Sequence, residues 1–189
     1  LAPVALPGAP GTRALPISAR LRAAGCGVLR RDIVEPEAAA LGEFRKVDLA
    51  NSQVLAQAMA WALDNREVTR VVNCAGIVAT HDLEDVDAAT FERVMAINVR
   101  SLIEVTQALA PTMKAAGFGR IVNIASRSAL RAPQPTVYAA SKAAVVGLIT
   151  TRPEATAGFR RTSAAAGSGP IGTDLRRPGH GDGAPARGA

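Results

Sequence analysis

Aromatic residues are scarce. Only 3% of the 189 residues are Phe, Trp or Tyr, while 48% of the chain is hydrophobic. A core of stacked rings is therefore excluded, and burial has to come from Ala, Val, Leu and Ile, a mix common in sheets covered by helices on both faces. Cysteine is equally thin. Cys26 and Cys74 alone exclude a dense disulfide framework and suit a reduced, cytoplasmic setting. Neither pairs at metal-ligand spacing with His81 or His180, so no metal site is expected. No apolar run approaches the roughly 20 residues that cross a bilayer. No basic stretch followed by an apolar leader stands at the start of the sequence, and membrane association is not expected.

Concentrated positive charge is also missing. The net charge is +6, of which residues 1–150 contribute +3 (16 Lys/Arg, 13 Asp/Glu) and residues 151–189 another +3 (6 and 3). No basic run interleaved with aromatics occurs, as single-strand binding would want, so nucleic acid is not an expected partner.

What is present is alternation. Val4-Ala-Leu reads as a short first strand, followed by the turn-rich Pro7-Gly-Ala-Pro-Gly-Thr12 and a helix from near Arg13 to about Ala24. Pro16 falls in that helix's first turn, where a missing N–H costs nothing. A second strand ends near Asp32, and Phe44–Asp48 reads as a third. Asn51 or Ser52 caps a helix over Val54 to Leu63. Val68 to Cys74 is a strand, Glu84-Asp-Val-Asp opens a helix with acids where the dipole favours them, and an amphipathic helix runs from Val99 to Met113. Arg120 to Ile124 is the next strand, and a helix beyond Pro133 and Pro135 carries Tyr138 and Lys142. Strand–helix alternation predicts a doubly wound α/β parallel sheet with helices on both faces, three layers in all. Ligands of such sheets sit at the carboxyl ends of the strands. Gly8, Asp32, Asp48, Asn73 to Gly76 and Ser126 all fall just past predicted strand ends.

Past residue 150 the pattern degrades. Pro153 interrupts the Tyr138 helix, residues 158–169 read as lacking a strand, and 176–189 has the composition of a disordered tail, leaving 1–175 as one domain. The distal edge of the sheet is therefore expected to be incomplete.

Tyr138 and Lys142 stand at i and i+4, on one helical face. A cation there favours the phenolate, although the pair alone fits a harmless helix surface equally well. Four segments give it context: Val71-Val-Asn-Cys-Ala-Gly-Ile77, Met95-Ala-Ile-Asn-Val99, Gly119-Arg-Ile-Val-Asn-Ile-Ala-Ser126 and Tyr138-Ala-Ala-Ser-Lys-Ala-Ala144. In order and spacing these resemble the short-chain dehydrogenase/reductase family, closest to the 3-oxoacyl-carrier-protein reductase and hydroxysteroid dehydrogenase type, with a Rossmann-like sheet. The resemblance covers residues 1–150 and returns at Gly169-Pro-Ile-Gly-Thr-Asp-Leu175.

The resemblance implies an oxidoreductase moving a hydride between a nicotinamide cofactor and an alcohol or ketone. Tyr138 would be the acid/base, Lys142 would lower its pKa and hold the nicotinamide ribose, Ser126 would hold the substrate oxygen, and Asn98 would keep a relay water at a helix irregularity. On the cofactor side Asp32 would bind the ribose hydroxyls, favouring NAD over NADP, with Arg30 and Arg31 able to reach a phosphate. Asp48 and Leu49 would border the adenine, and Asn73, Ala75 and Gly76 the adenosine half. Ile171 and Thr173 would meet the carboxamide. A homodimer or homotetramer through the helices at 99–115 and 137–152 is also implied.

Two departures qualify the match. In the glycine-rich turn Gly8 remains, but Thr12 and Ala14 replace two glycines, with Gly11 one place early; a β-branched Thr12 obstructs close approach of the backbone to a pyrophosphate. The distal segments are degraded and the chain ends short of the family pattern, so it resembles a C-terminally truncated relative. The alternative expectation is a catalytically impaired remnant acting as a structural or oligomerisation partner.

Overall fold

Val28-Leu-Arg-Arg is buried at every position, the mark of a strand covered on both faces. The computed structural model describes residues 4–7, 14–33, 42–79, 82–129, 136–150 and 160–164. The glycine-rich turn with Gly8, Gly11 and Thr12, the residues Ile171 and Thr173, Pro153 and the 176–189 tail lie outside them.

Six strands, β1 (Val4–Pro7), β2 (Val28–Asp32), β3 (Glu43–Lys46), β4 (Arg70–Asn73), β5 (Arg120–Ile124) and β6 (Arg160–Ala164), form one sheet in the order β3-β2-β1-β4-β5-β6. Every pairing is parallel. The order reverses between β1 and β4, the switch point beside which doubly wound sheets bind ligands.

Helix α1 (Ala14–Ala23) covers one face, where Ile17 and Leu21 pack with Val28 and Val72. On the other face α2 (Ser52–Leu63) and α4 (Ser101–Ala115) close the main core, with Leu55, Met59, Val105, Leu109 and Met113 against Leu29, Val71 and Ile121. Helix α5 (Thr136–Thr150) adds Val145 to Leu102 and Ala125. Asn51, rather than Ser52, caps α2, its Oδ1 accepting from the N–H groups of Gln53 and Val54 at 3.1 Å each. Gly42 opens β3 at φ +120°, and a Cβ there would collide with the Val28 carbonyl.

Three local expectations change. Glu84 and Asp85 sit in a separate 3₁₀ turn, Leu83–Asp85, because Val86 is extended; Asp87 instead caps α3 (Ala88–Met95), accepting from the Thr90 N–H at 2.7 Å. The pattern up to Met95 and from Val99 onward is one continuous path, joined by a π-helical turn, Ala96–Arg100. Residues 158–169 do contain a strand: β6 pairs with β5 over its five residues. Its sequence, Arg-Arg-Thr-Ser-Ala, lacks the apolar run of a central strand, but ladder formation rests on backbone groups that any such segment carries. No helix among the described residues is long and apolar enough to cross a membrane.

Candidate functional site

Asn98 is the hub of the region past β4. It lies in the π turn, 2% exposed. Its Oδ1 accepts from the Ile77 N–H at 2.8 Å, and its Nδ2 donates to the Ile77 carbonyl at 3.0 Å and to Ser141 Oγ at 2.9 Å. A π turn re-aims a side chain that a regular helix would direct elsewhere. Ser141 in turn donates to the Tyr138 backbone carbonyl at 2.7 Å. One amide thus ties the loop after β4 to helix α5.

Lys142 is buried, 4% exposed, and its ammonium donates to the Ile124 carbonyl at 3.0 Å, at the end of β5. Its Nζ stands 5.9 Å from the centre of the Tyr138 ring. Gly76 passes close by: a Cβ there would lie 3.2 Å from Lys142 Nζ and 3.5 Å from Asn98 Oδ1. Asn73, in lateral register with Asn123, donates to its Oδ1 at 2.7 Å, while Asn73 Oδ1 is buried with no hydrogen-bond partner among the described residues. Asn73, Ala75, Asn98, Ile124 and Lys142 line a cavity of about 10 Å³, room for roughly one water.

These distances correct the hydride-transfer reading. The resemblance expects the Tyr138 phenol, Lys142, Ser126 and Asn98 to converge on a substrate carbonyl. Instead the Lys142 ammonium serves the Ile124 carbonyl, and the Asn98 chain ends on the Tyr138 carbonyl rather than its phenol. Ser126 Oγ donates to Ser128 Oγ at 3.2 Å and accepts from the Ser128 N–H at 3.3 Å, a closed local turn. Neither Tyr138 nor Ser126 lines the cavity, which is more than an order of magnitude below the ~300–1,000 Å³ of ligand sites. No catalytic tyrosine is in place beside Lys142, and an acid/base must stand within hydrogen-bond reach of the proton it moves.

The adenosine-side residues sit at strand ends. Asp32 closes β2 and its Oδ1 accepts from the Ile33 N–H at 2.6 Å; Asp48 Oδ1 accepts from the Ala50 N–H at 2.9 Å. Leu49, expected beside an adenine, is instead 6% exposed within the main core. Arg30 and Arg31, expected to reach a phosphate, are both wholly buried. Arg30 donates to the Gly42 carbonyl at 3.4 Å. Among the described residues Arg31 has no hydrogen-bond partner on Nε, Nη1 or Nη2, and burial, with Arg45 beside it, pulls its guanidinium pKa down to about 10.

Ser141 is the site residue that sequence reasoning missed. Its signal was present, inside Tyr138-Ala-Ala-Ser-Lys142 and three residues from the tyrosine, but the spacing alone did not show that Asn98 would reach it.

Comparison with known proteins places this arrangement. A family model described as short chain dehydrogenase matches residues 18–180. Galactitol 2-dehydrogenase (L-tagatose-forming) of Cereibacter sphaeroides is 37% identical over 101 residues, 52% of this chain and 40% of that protein. The solved structure of a short chain dehydrogenase/reductase family protein superposes with a TM-score of 0.73 at 31% identity, covering 85% of this chain and 73% of the other. Aldohexose dehydrogenase of Thermoplasma acidophilum shares the fold at TM-score 0.83 and 22% identity, covering 92% and 69%. The chain spans less than half the length of the first curated relatives it matches. From the strand order, the four motif segments and the matched span, this chain belongs to the short-chain dehydrogenase family.

Proposed function

We propose that this chain is a non-catalytic member of its family that works as a structural and pairing subunit. The carrying observation is the engagement of the Lys142 ammonium by the Ile124 carbonyl at 3.0 Å, with the Tyr138 ring centre 5.9 Å away. No chemical step is therefore assigned to a nicotinamide ring in this reading. Family membership still supports a nicotinamide dinucleotide as the ligand class, held through its adenosine half at the ends of β2 and β4.

Pairing has a surface available. Thr136, Ala140, Ala143 and Gly147 form an exposed row on α5, and a Cβ added at Gly147 meets nothing within 4 Å. Spacings of four, three and four put them on one face, and small side chains let a second helix approach closely.

Light scattering of the purified chain together with a nicotinamide-linked absorbance assay tests this reading. A dimer that Ala143→Arg converts to monomer, with no turnover on secondary alcohols or ketones, is the expected result. Turnover that Tyr138→Phe abolishes would overturn it. In this reading the adenosine half carries the binding, so ADP-ribose and NAD should bind equally well.

A further inference from the structure

Three arginines open three neighbouring strands in one lateral row. Arg70 is paired with Arg120 across β4 and β5, and Arg120 with Arg160 across β5 and β6. Arg70 and Arg120, in register on parallel strands about 4.8 Å apart, share a face of the sheet. Phe118, 37% exposed, lies between the first two: the Arg70 guanidinium is 4.7 Å and that of Arg120 5.7 Å from its ring centre. Neither arginine meets a carboxylate among the described residues, where the ion pairs are Arg66–Glu43 and Arg100–Glu104. Like charges directly opposite on adjacent strands repel, and stacking on a ring does not neutralise them. Such an edge suits an acidic surface with an apolar centre.

Such a surface is on the same molecule. Asp82-Leu-Glu-Asp-Val-Asp87 carries four carboxylates and no cation. All four acids are exposed, around Leu83 at 69% exposure. The segment follows the carboxyl end of β4, whereas Arg70 and Arg120 stand at the opposite, amino ends of their strands. One patch sets an aromatic ring among cations and the other an aliphatic side chain among anions, the core-and-rim anatomy of a protein interface with opposite signs.

We propose that copies of this chain associate head to tail, the Asp82–Asp87 segment of one docking on the Arg70–Phe118–Arg120 edge of the next. The contact is heterologous, so it builds rings or open chains instead of closing as an isologous pair. It is separate from the α5 pairing face and does not depend on it.

Light scattering against protein concentration and salt tests this. Apparent mass should grow with protein concentration at low salt and fall at about 1 M salt, where the Debye length is about 3 Å. Pairing through α5 would persist there, so the two contacts fail separately. Arg70→Glu/Arg120→Glu and Asp82→Lys/Glu84→Lys/Asp85→Lys should each lose the salt-sensitive growth, and an equimolar mixture of the two should regain it, since each reversed patch then meets its opposite. Arg120→Glu alone, at an exposed position, should weaken growth with the circular dichroism spectrum unchanged. Salt-sensitive growth that survives in either charge-reversed chain, no growth in the parent chain, or a mixture that stays unassociated would overturn the proposal.

Discussion

Asn98 and Ser141, 43 residues apart in sequence, are joined by a 2.9 Å hydrogen bond between two buried side chains. Together with its two bonds to Ile77, this makes Asn98 the clasp between the loop after β4 and helix α5.

Removing the clasp is expected to be costly. Asn98→Ala removes the buried bond to Ser141 and leaves the half-buried Ile77 N–H and carbonyl without their partner, and an unsatisfied buried group costs about 1–3 kcal/mol. Urea denaturation should show a loss of roughly 2–4 kcal/mol by the same reckoning. A loss below about 0.5 kcal/mol, the range of ordinary surface substitutions, would mean the network is not formed in solution.

Gly76 is held small by its neighbours. Gly76→Ala puts a Cβ 3.2 Å from Lys142 Nζ, which cannot swing away freely while it is bonded to Ile124. A destabilisation of about 1 kcal/mol is expected, in the range of overpacking. Lys142→Met should relieve part of it, so the double-mutant cycle should give a coupling of roughly 0.5 kcal/mol or more. Strict additivity would place the two side chains apart.

Arg31 is a buried cation with no hydrogen-bond partner among the described residues, so Arg31→Met is expected to stabilise the fold by about 1–4 kcal/mol near neutral pH. The pH dependence has a definite sign. The folded-state pKa of about 10 lies below the ordinary arginine value. Below about pH 10 both states carry the proton and the burial penalty is complete; between the two values the unfolded chain binds more protons, so stability rises with pH. The advantage of Arg31→Met should therefore shrink from pH 10 upward. Denaturation curves at pH 8 and near pH 11 that show a constant gap would rule out the charge as its source.

Leu109 reports on the core between α4 and the sheet, where it is 0% exposed. Leu109→Ala should cost about 2–5 kcal/mol. Unchanged thermal unfolding would contradict the packing of α4 against the strands.

The sequence by itself determined the architecture. Aliphatic runs at strand length, alternating with helix-period segments, specify a parallel sheet because burying both sheet faces leaves few other arrangements. The Asn51 cap and the strand ends at Asp32 and Asn73 were legible because they depend on neighbours a few residues away. β6 was not legible, since its partner is β5, some 40 positions earlier, and backbone pairing leaves no apolar signature in Arg160-Arg-Thr-Ser-Ala164. The motif residues could be found in sequence, but their partners could not. Only the tertiary structure decided that Lys142 serves the Ile124 carbonyl, that Asn98 reaches Ser141, and that Arg31 is buried beside Arg45. A local pattern places a side chain on a face. Which group it then meets is set by long-range packing, where a few tenths of an ångström separate an assembled site from a closed one.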